Sequence, residues 1–244
     1  MAHLSPFRDY RLRTAAREDE ARFQVVVGQS DLLIAARQDL SETAWIILSR
    51  LRGEIEAFGS LHPPFLESLT PVAAPDTAPR IVRRMARAAG AVGVGPMASV
   101  AGAVAQGVAE ELADASPDVL VENGGDLFIL GNKPRLVGLL AEPESGMLLG
   151  VELDSGPVAF CSSSGRIGHS LSLGQGDLVT VRSEDAALAD AAATALANRL
   201  NSPDDLRRVT DQAARWRSLG VRGVFAQCGG SMAVWGDMEL TALG

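Results

Sequence analysis

Apolar residues along this chain alternate between a period of two and a period near 3.6, and each change of period marks an element. Phe23-Gln-Val-Val-Val27 and Leu32-Leu-Ile-Ala-Ala36 flank Gly28-Gln-Ser-Asp31 and predict a β-hairpin. From Ser41, read as an N-cap, Ala44, Ile47, Leu48, Leu51, Ile55 and Phe58 follow helical spacing, and Gly59 supplies a stop. Leu61-His-Pro-Pro-Phe65 reads as a loop, because a residue before proline is pushed out of the helical region. A helix from Arg80 to Ala89 opens with Pro79 in its first turn. A central helix then starts at Pro96, with Met97, Ala101, Val104, Val108 and Leu112 as an apolar stripe. Ala98, Gly102, Ala105 and Ala109 form a second stripe of small side chains that lets another backbone, or a flat ligand, come close.

Strands follow at short intervals. Asp118-Val-Leu-Val121 turns through Glu122-Asn-Gly-Gly-Asp126 into Leu127-Phe-Ile-Leu130. Leu136 to Leu140, Leu148 to Leu153 and Val158 to Cys161 continue as a meander, and Leu178-Val-Thr-Val181 is a further strand. Ser183 is read as the cap of an alanine-rich helix reaching Leu200, with Glu184 and Asp185 in its first turn. A polar helical segment runs to about Ser218. Val224 to Cys228 and Ser231 to Trp235, joined by Gly229-Gly230, close the chain as a hairpin.

Composition narrows the class. With 47% hydrophobic and 21% charged residues the 244-residue chain is globular, and a net charge of −8 argues against a general grip on nucleic acid. No apolar run reaches the roughly 20 residues of a membrane span. Two cysteines, Cys161 and Cys228, make neither a disulfide framework nor a zinc quartet. The start of the chain lacks the apolar stretch of a secretion signal, so a cytoplasmic protein is expected.

Four features carry candidate chemistry. Arg80, Arg83, Arg84 and Arg87 fall within eight residues, either as an anion grip near Gly93 or as a solvated helix face. Gly93, Gly95 and Ala98 match the relaxed pattern G-x-G-x-x-A, but the preceding residues are helical where a dinucleotide fingerprint needs a strand. The Glu122–Asp126 turn either lines a polar site at a strand end or bonds only local backbone. Asp190, Thr194 and Asn198 share one face of an otherwise apolar helix; they form either an exposed stripe or a buried oxygen set suited to a hard cation such as Mg²⁺. Ser162, Ser163 and Ser164 precede His169, but no G-x-S-x-G elbow supports a hydrolase triad.

Together these motifs resemble the ApbE-like superfamily, whose best-known members are FAD:protein FMN transferases. Val94-Gly-Pro-Met-Ala98 and Glu122-Asn-Gly-Gly-Asp126 look like an uncharacterised sub-branch across nearly the whole chain. Likeness to the transferases is confined to about residues 93–200. The resemblance implies an α+β fold of mixed, mainly antiparallel sheets packed with helices, as a single domain over 1–244 with lobes at 1–90 and 91–244. It implies a flavin (FAD or FMN) or other nucleotide ligand bound at Asn123, Gly124, Gly125, Asp126, Ser163, Ser164 and His169, and Mg²⁺ held by Asp190 and Thr194 within Ala189-Asp-Ala-Ala-Ala-Thr-Ala195. The transferases use Mg²⁺ to move FMN from FAD onto a threonine of a target protein. No catalytic residue follows from the match. The family's K-G-x-x-x-D pattern falls on Ala101 to Gln106, so its lysine is Ala101 and its acid Gln106; its D-P-x-T-G loop and exported lipoprotein signal are missing. Two functions stay open: a Mg²⁺-dependent enzyme transferring a phosphate-linked group, or a non-catalytic ligand-binding or scaffold relative. Either is compatible with a homo-oligomer.

Overall fold

The computed structural model describes residues 19–132, 135–142, 147–153, 156–164, 176–238 and 240–243. Strands β1 (Ala21–Val27) and β2 (Ser30–Ala36) form the opening hairpin, with Gly28 at a left-handed φ of 58°. They precede three helices, α1 (Ser41–Leu61), α2 (Pro64–Glu67) and α3 (Arg80–Val92). After a 3₁₀ turn at Pro96–Ser99 come α4 (Val100–Leu112), β3 (Val119–Asn123), β4 (Asp126–Leu130), β5 (Arg135–Glu142), β6 (Met147–Leu153), β7 (Val158–Ser163) and β8 (Leu178–Ser183). The chain ends with α5 (Ala186–Ala197), α6 (Leu206–Arg215), β9 (Val221–Cys228), β10 (Ser231–Gly236) and β11 (Leu240–Leu243).

The main sheet has the order β1-β2-β3-β4-β7-β8-β9-β10, antiparallel at every described pairing. The architecture is thus the α+β one expected. One feature of the predicted meander is corrected: β5 and β6 leave the main sheet for a second, three-stranded sheet in which β6 lies between β5 and β11, while β4 pairs directly with β7. Period-two alternation divides the main sheet. One face carries Val119, Val121, Phe128, Ala159, Cys161, Val179 and Val181 toward the helices; the other carries Leu120, Leu127, Ile129, Phe160 and Phe225 in a separate apolar cluster.

Helix α5 is the centre of the helical layer. All twelve of its residues are buried, because it packs on β7 and β8 with one side and on α3 and α4 with others. A helix touched on every side must be apolar all round, and alanine keeps the neighbours near. The small stripe of α4 meets it at Gly102, where an added Cβ would overlap the Ala186 carbonyl and sit 2.9 Å from the Asp190 Cβ. Of the two readings of that stripe, tight helix packing holds at Gly102.

Several boundaries differ from the sequence pattern for local reasons. Leu40, not Ser41, is the N-cap of α1; the Ser41 N–H donates instead to the Asp39 carboxylate at 2.9 Å. Gly59 lies inside α1, where a side chain would collide with Leu66 of α2, and α2 occupies part of the predicted proline loop. The central helix opens as a 3₁₀ turn at Pro96–Ser99 that leads into α4, and α3 meets the Pro96–Leu112 segment at 102° across the break at residues 93–95. Gly93 ends α3 in a left-handed conformation (φ 82°), and Gly95 is required because any Cβ would strike the Ser68 carbonyl. Ser183 closes β8, and Asp185 caps α5 by accepting the Leu188 N–H at 3.0 Å; the helix stops at Ala197 rather than Leu200. Among the described residues no single helix is long and apolar enough to cross a membrane.

Candidate functional site

The turn Asn123–Asp126, the end of β7, the start of α4 and the middle of α5 converge at one end of the helix-facing side of the main sheet. Gly124 and Gly125 make the two-residue connection at φ 66° and 109°, values that glycine alone adopts without strain. Glu122 braces this turn from the opposite face, its Oε1 accepting the Gly125 N–H at 2.7 Å. Asn123 and Asp126, facing each other across the turn, point to the helices instead. The Asn123 Nδ2 donates to the Ala101 carbonyl at 3.1 Å, and the Asp126 Oδ1 accepts the Ser162 N–H at 3.0 Å. The turn therefore does more than bond its own backbone.

Asp190 reaches the same point from α5. Its carboxylate accepts the Gly102 N–H at 2.9 Å and also the Ala101 N–H, both in the first turn of α4, where unpaired amides and the helix dipole favour an anion. Asp190 and Asp126 also hydrogen-bond to each other. Both are buried, so the exposed-stripe reading of Asp190 and Thr194 is excluded. Burial pushes Asp190 up to about 7, opposed by the Gly102 N–H, by Asp126 and by the Ala101 N–H. Burial, followed by the charge of Asp190, holds Asp126 well above the usual carboxylate range. Both carboxyls are thus raised, the state favoured when two buried acids interact and titrate as a pair.

A reciprocal contact joins the same two helices. Gln106, buried on α4, accepts the Ala186 N–H at 2.9 Å through its Oε1 and donates through its Nε2 to Glu110 at 3.0 Å. Asp190 of α5 thus caps α4, and Gln106 of α4 caps α5. Cys161 fills the space beside them; its S–H donates to the Ala186 carbonyl at 3.4 Å, and burial, then Asp126 and Asp190, push its thiol up, away from thiolate reactivity.

The structure brings Asn123, Asp126 and Asp190 together about the first turn of α4, with the open glycine turn between the first two. Thr194 is buried one turn along α5 from Asp190, and Asn198 forms the C-cap at the half-exposed end of that helix. Ser163 is on the helix-facing side of β7, buried, with an Oγ that has no hydrogen-bond partner among the described residues; Ser164 is buried next to it. Gly165 and His169 lie outside the described residues. The oxygen-only donors Asp126, Asp190 and Thr194 fit a hard divalent cation in chemistry, and a cation would offset the two carboxylates' mutual repulsion. Among the described residues no group of three or more His, Cys, Asp or Glu is arranged to hold a metal, so hydroxyl, backbone or ligand oxygens would have to complete the shell.

Sequence reasoning missed Gln106 and Cys161 as parts of this arrangement. The available signal was Gln106 itself, a lone polar residue in Val-Ala-Gln-Gly-Val, which must find a partner if the helix is buried all round.

Comparison with known proteins agrees with this fold. A family model described as "AbpE bacteria" matches residues 13–232. A UPF0280 protein of Methanothrix thermoacetophila is 38% identical over 210 residues, covering 84% of this chain and 87% of its own length. One of Methanopyrus kandleri is 39% identical over 195 residues, covering 78% of each. Among solved structures, the apo flavinyl transferase ApbE of Pseudomonas stutzeri superimposes with a TM-score of 0.60 at 11% identity, covering 89% of this chain and 94% of its own. The flavin transferase ApbE of Vibrio cholerae does so with a TM-score of 0.55 at 15% identity, covering 89% and 97%. At such identities the likeness establishes the fold, which is ApbE-like.

Proposed function

The chain belongs to the AbpE bacteria family, and from that premise we propose that it is a Mg²⁺-dependent enzyme that binds a flavin or another phosphate-bearing nucleotide and transfers a phosphate-linked group. One observation carries the reading: two carboxylates, Asp126 and Asp190, are buried against each other at the first turn of α4, beside an open glycine turn and the unpartnered Ser163 hydroxyl. A fold does not retain so unfavourable a pair for packing alone, since apolar residues of similar size serve that purpose at lower cost.

In this reading Asp190 and Thr194, joined by Asp126, hold the cation, which when bound neutralises phosphate charge and polarises a phosphoryl oxygen. Asn123 fixes the start of α4 by holding the Ala101 carbonyl, and the Gly124–Gly125 turn, having no side chains, lets a ligand reach the backbone. Ser163 and Ser164, with His169, contact the ligand. The proton that burial and the charge of Asp190 hold on Asp126 in the metal-free protein is released when the cation binds, so cation binding is coupled to pH. The protein acts in the cytoplasm, as one unit or as a homo-oligomer.

A second reading is a ligand-binding relative without catalysis. Gln106 favours it, since the residue at the family's acidic position is committed on both sides of its amide to Ala186 and Glu110. Titration of the purified protein with FAD, FMN and ADP, with and without Mg²⁺, tests the proposal. Tight Mg²⁺-dependent binding that Asp190→Ala abolishes is the expected result, and turnover of bound FAD to AMP then separates enzyme from binder. Binding of none of the three would overturn the flavin and nucleotide assignment.

A further inference from the structure

The four arginines of α3 do not share one role. Arg80 and Arg84 are turned toward α4, where both bind Glu110, at 3.1 and 2.8 Å. Arg83 and Arg87, one turn apart, line a cavity of about 250 Å³ with Ala73, Ala74, Asp76 and Ala86. Among the described residues neither makes an ion pair or a hydrogen bond, and the Nε of Arg83 is sealed from solvent with no acceptor. On a chain with 30 acidic residues the absence of an acceptor is informative, because a shielded guanidinium N–H costs free energy that a carboxylate nearby would recover. Asp76 borders the same cavity yet stays outside ion-pair distance of both arginines.

We propose that this cavity is a second binding site, separate from the carboxylate pair, for the phosphate group of a small molecule. Two guanidinium forks on successive helical turns can donate to several oxygens of a tetrahedral anion at once, whereas a planar carboxylate is satisfied by one fork. The part of the Arg83 guanidinium that lines the cavity supplies the inner contact and Arg87 the outer one, while the sealed Nε of Arg83 reports the binding without touching the ligand. Ala73, Ala74 and Ala86 give the ligand an apolar wall, and Asp76 at the rim accepts from a hydroxyl or amine carried next to the phosphate. This site does not rest on the function proposed for Asp126 and Asp190.

The Nε–H of an arginine gives its own ¹H–¹⁵N cross-peak, so binding is read directly on the full-length protein. Potassium phosphate, titrated at constant ionic strength against chloride, should shift the Arg83 Nε–H peak saturably, with a midpoint on the order of 1 mM. Arg87→Gln, on the exposed outer face, should weaken this at least about tenfold, the loss of one charge-assisted contact. Asp76→Asn should tighten it about threefold by removing a like charge. Asp190→Asn should leave it unchanged, and the same shift in that variant keeps the site distinct from the carboxylate cluster. A peak that does not saturate, or Arg87→Gln binding like the parent, would overturn the proposal. Acetate binding as tightly as phosphate would overturn the assignment to a phosphate.

Discussion

The contact between α4 and α5 has two ends that look alike and differ in one respect. At one end Gln106 crosses from α4 to accept the first amide of α5; at the other Asp190 crosses from α5 to accept amides of α4. Both are long-range caps on buried helix termini, and both satisfy donors that no intrahelical carbonyl reaches. Gln106 is neutral and engaged on both sides of its amide. Asp190 is ionisable, lies against a second carboxylate, and is held near neutrality by burial. The first end is structure only. The second contains two buried carboxyls, both raised by burial and Asp126 also by the charge of Asp190, and it is the working end, to which the proposed function assigns the cation.

Gly102 is where both ends can be broken together. Valine there must displace the Ala186 carbonyl, so Gly102→Val should cost about 3 kcal/mol in chemical denaturation, the upper range for overpacking a close contact. Loss of less than about 1 kcal/mol would mean that the helices are not locked at this point.

The working end alone should make stability depend on pH. In the unfolded chain both carboxyls titrate near 4, whereas in the folded protein Asp190 sits at about 7 and Asp126 is raised well above its ordinary value. Between those pH values the folded state keeps protons that the unfolded state has released. The stabilisation is therefore complete below about pH 4 and is lost as pH rises through about 7. Urea titrations of metal-free protein should show a decrease on the order of 2 kcal/mol from pH 5 to pH 8. Asp126→Asn should remove only the part of that slope that Asp126 contributes, and Asp190→Asn the part that burial imposes on Asp190. The structural end should behave differently: Gln106→Ala leaves the Ala186 N–H buried without a partner and should cost about 1–2 kcal/mol, equally at both pH values.

How far the sequence revealed this depends on range. The β1–β2 hairpin, α1, the glycine turn at Gly124–Gly125 and the β9–β10 hairpin were legible because alternation and turn chemistry act within a few residues. The polar face of α5 was legible as a pattern, but periodicity alone did not say whether Asp190 was buried. The departure of β5 and β6 into a second sheet was not legible, because the strand signal is the same whichever sheet a strand joins. Gln106 was noted only as a departure from a family motif. Its function as a cap lies in a contact with Ala186, 80 residues away, and no local rule encodes that distance. The same holds for Asp126 and Asp190, which the fold brings together from positions 64 residues apart.

The most direct test of the difference between the two ends is Mn²⁺ binding, followed by electron paramagnetic resonance as a surrogate for Mg²⁺, in the parent protein, Gln106→Ala and Asp190→Asn. The account predicts stoichiometric loss of the free-ion signal for the parent and for Gln106→Ala, and none for Asp190→Asn. Retention of Mn²⁺ binding by Asp190→Asn, or its absence from the parent, would contradict it.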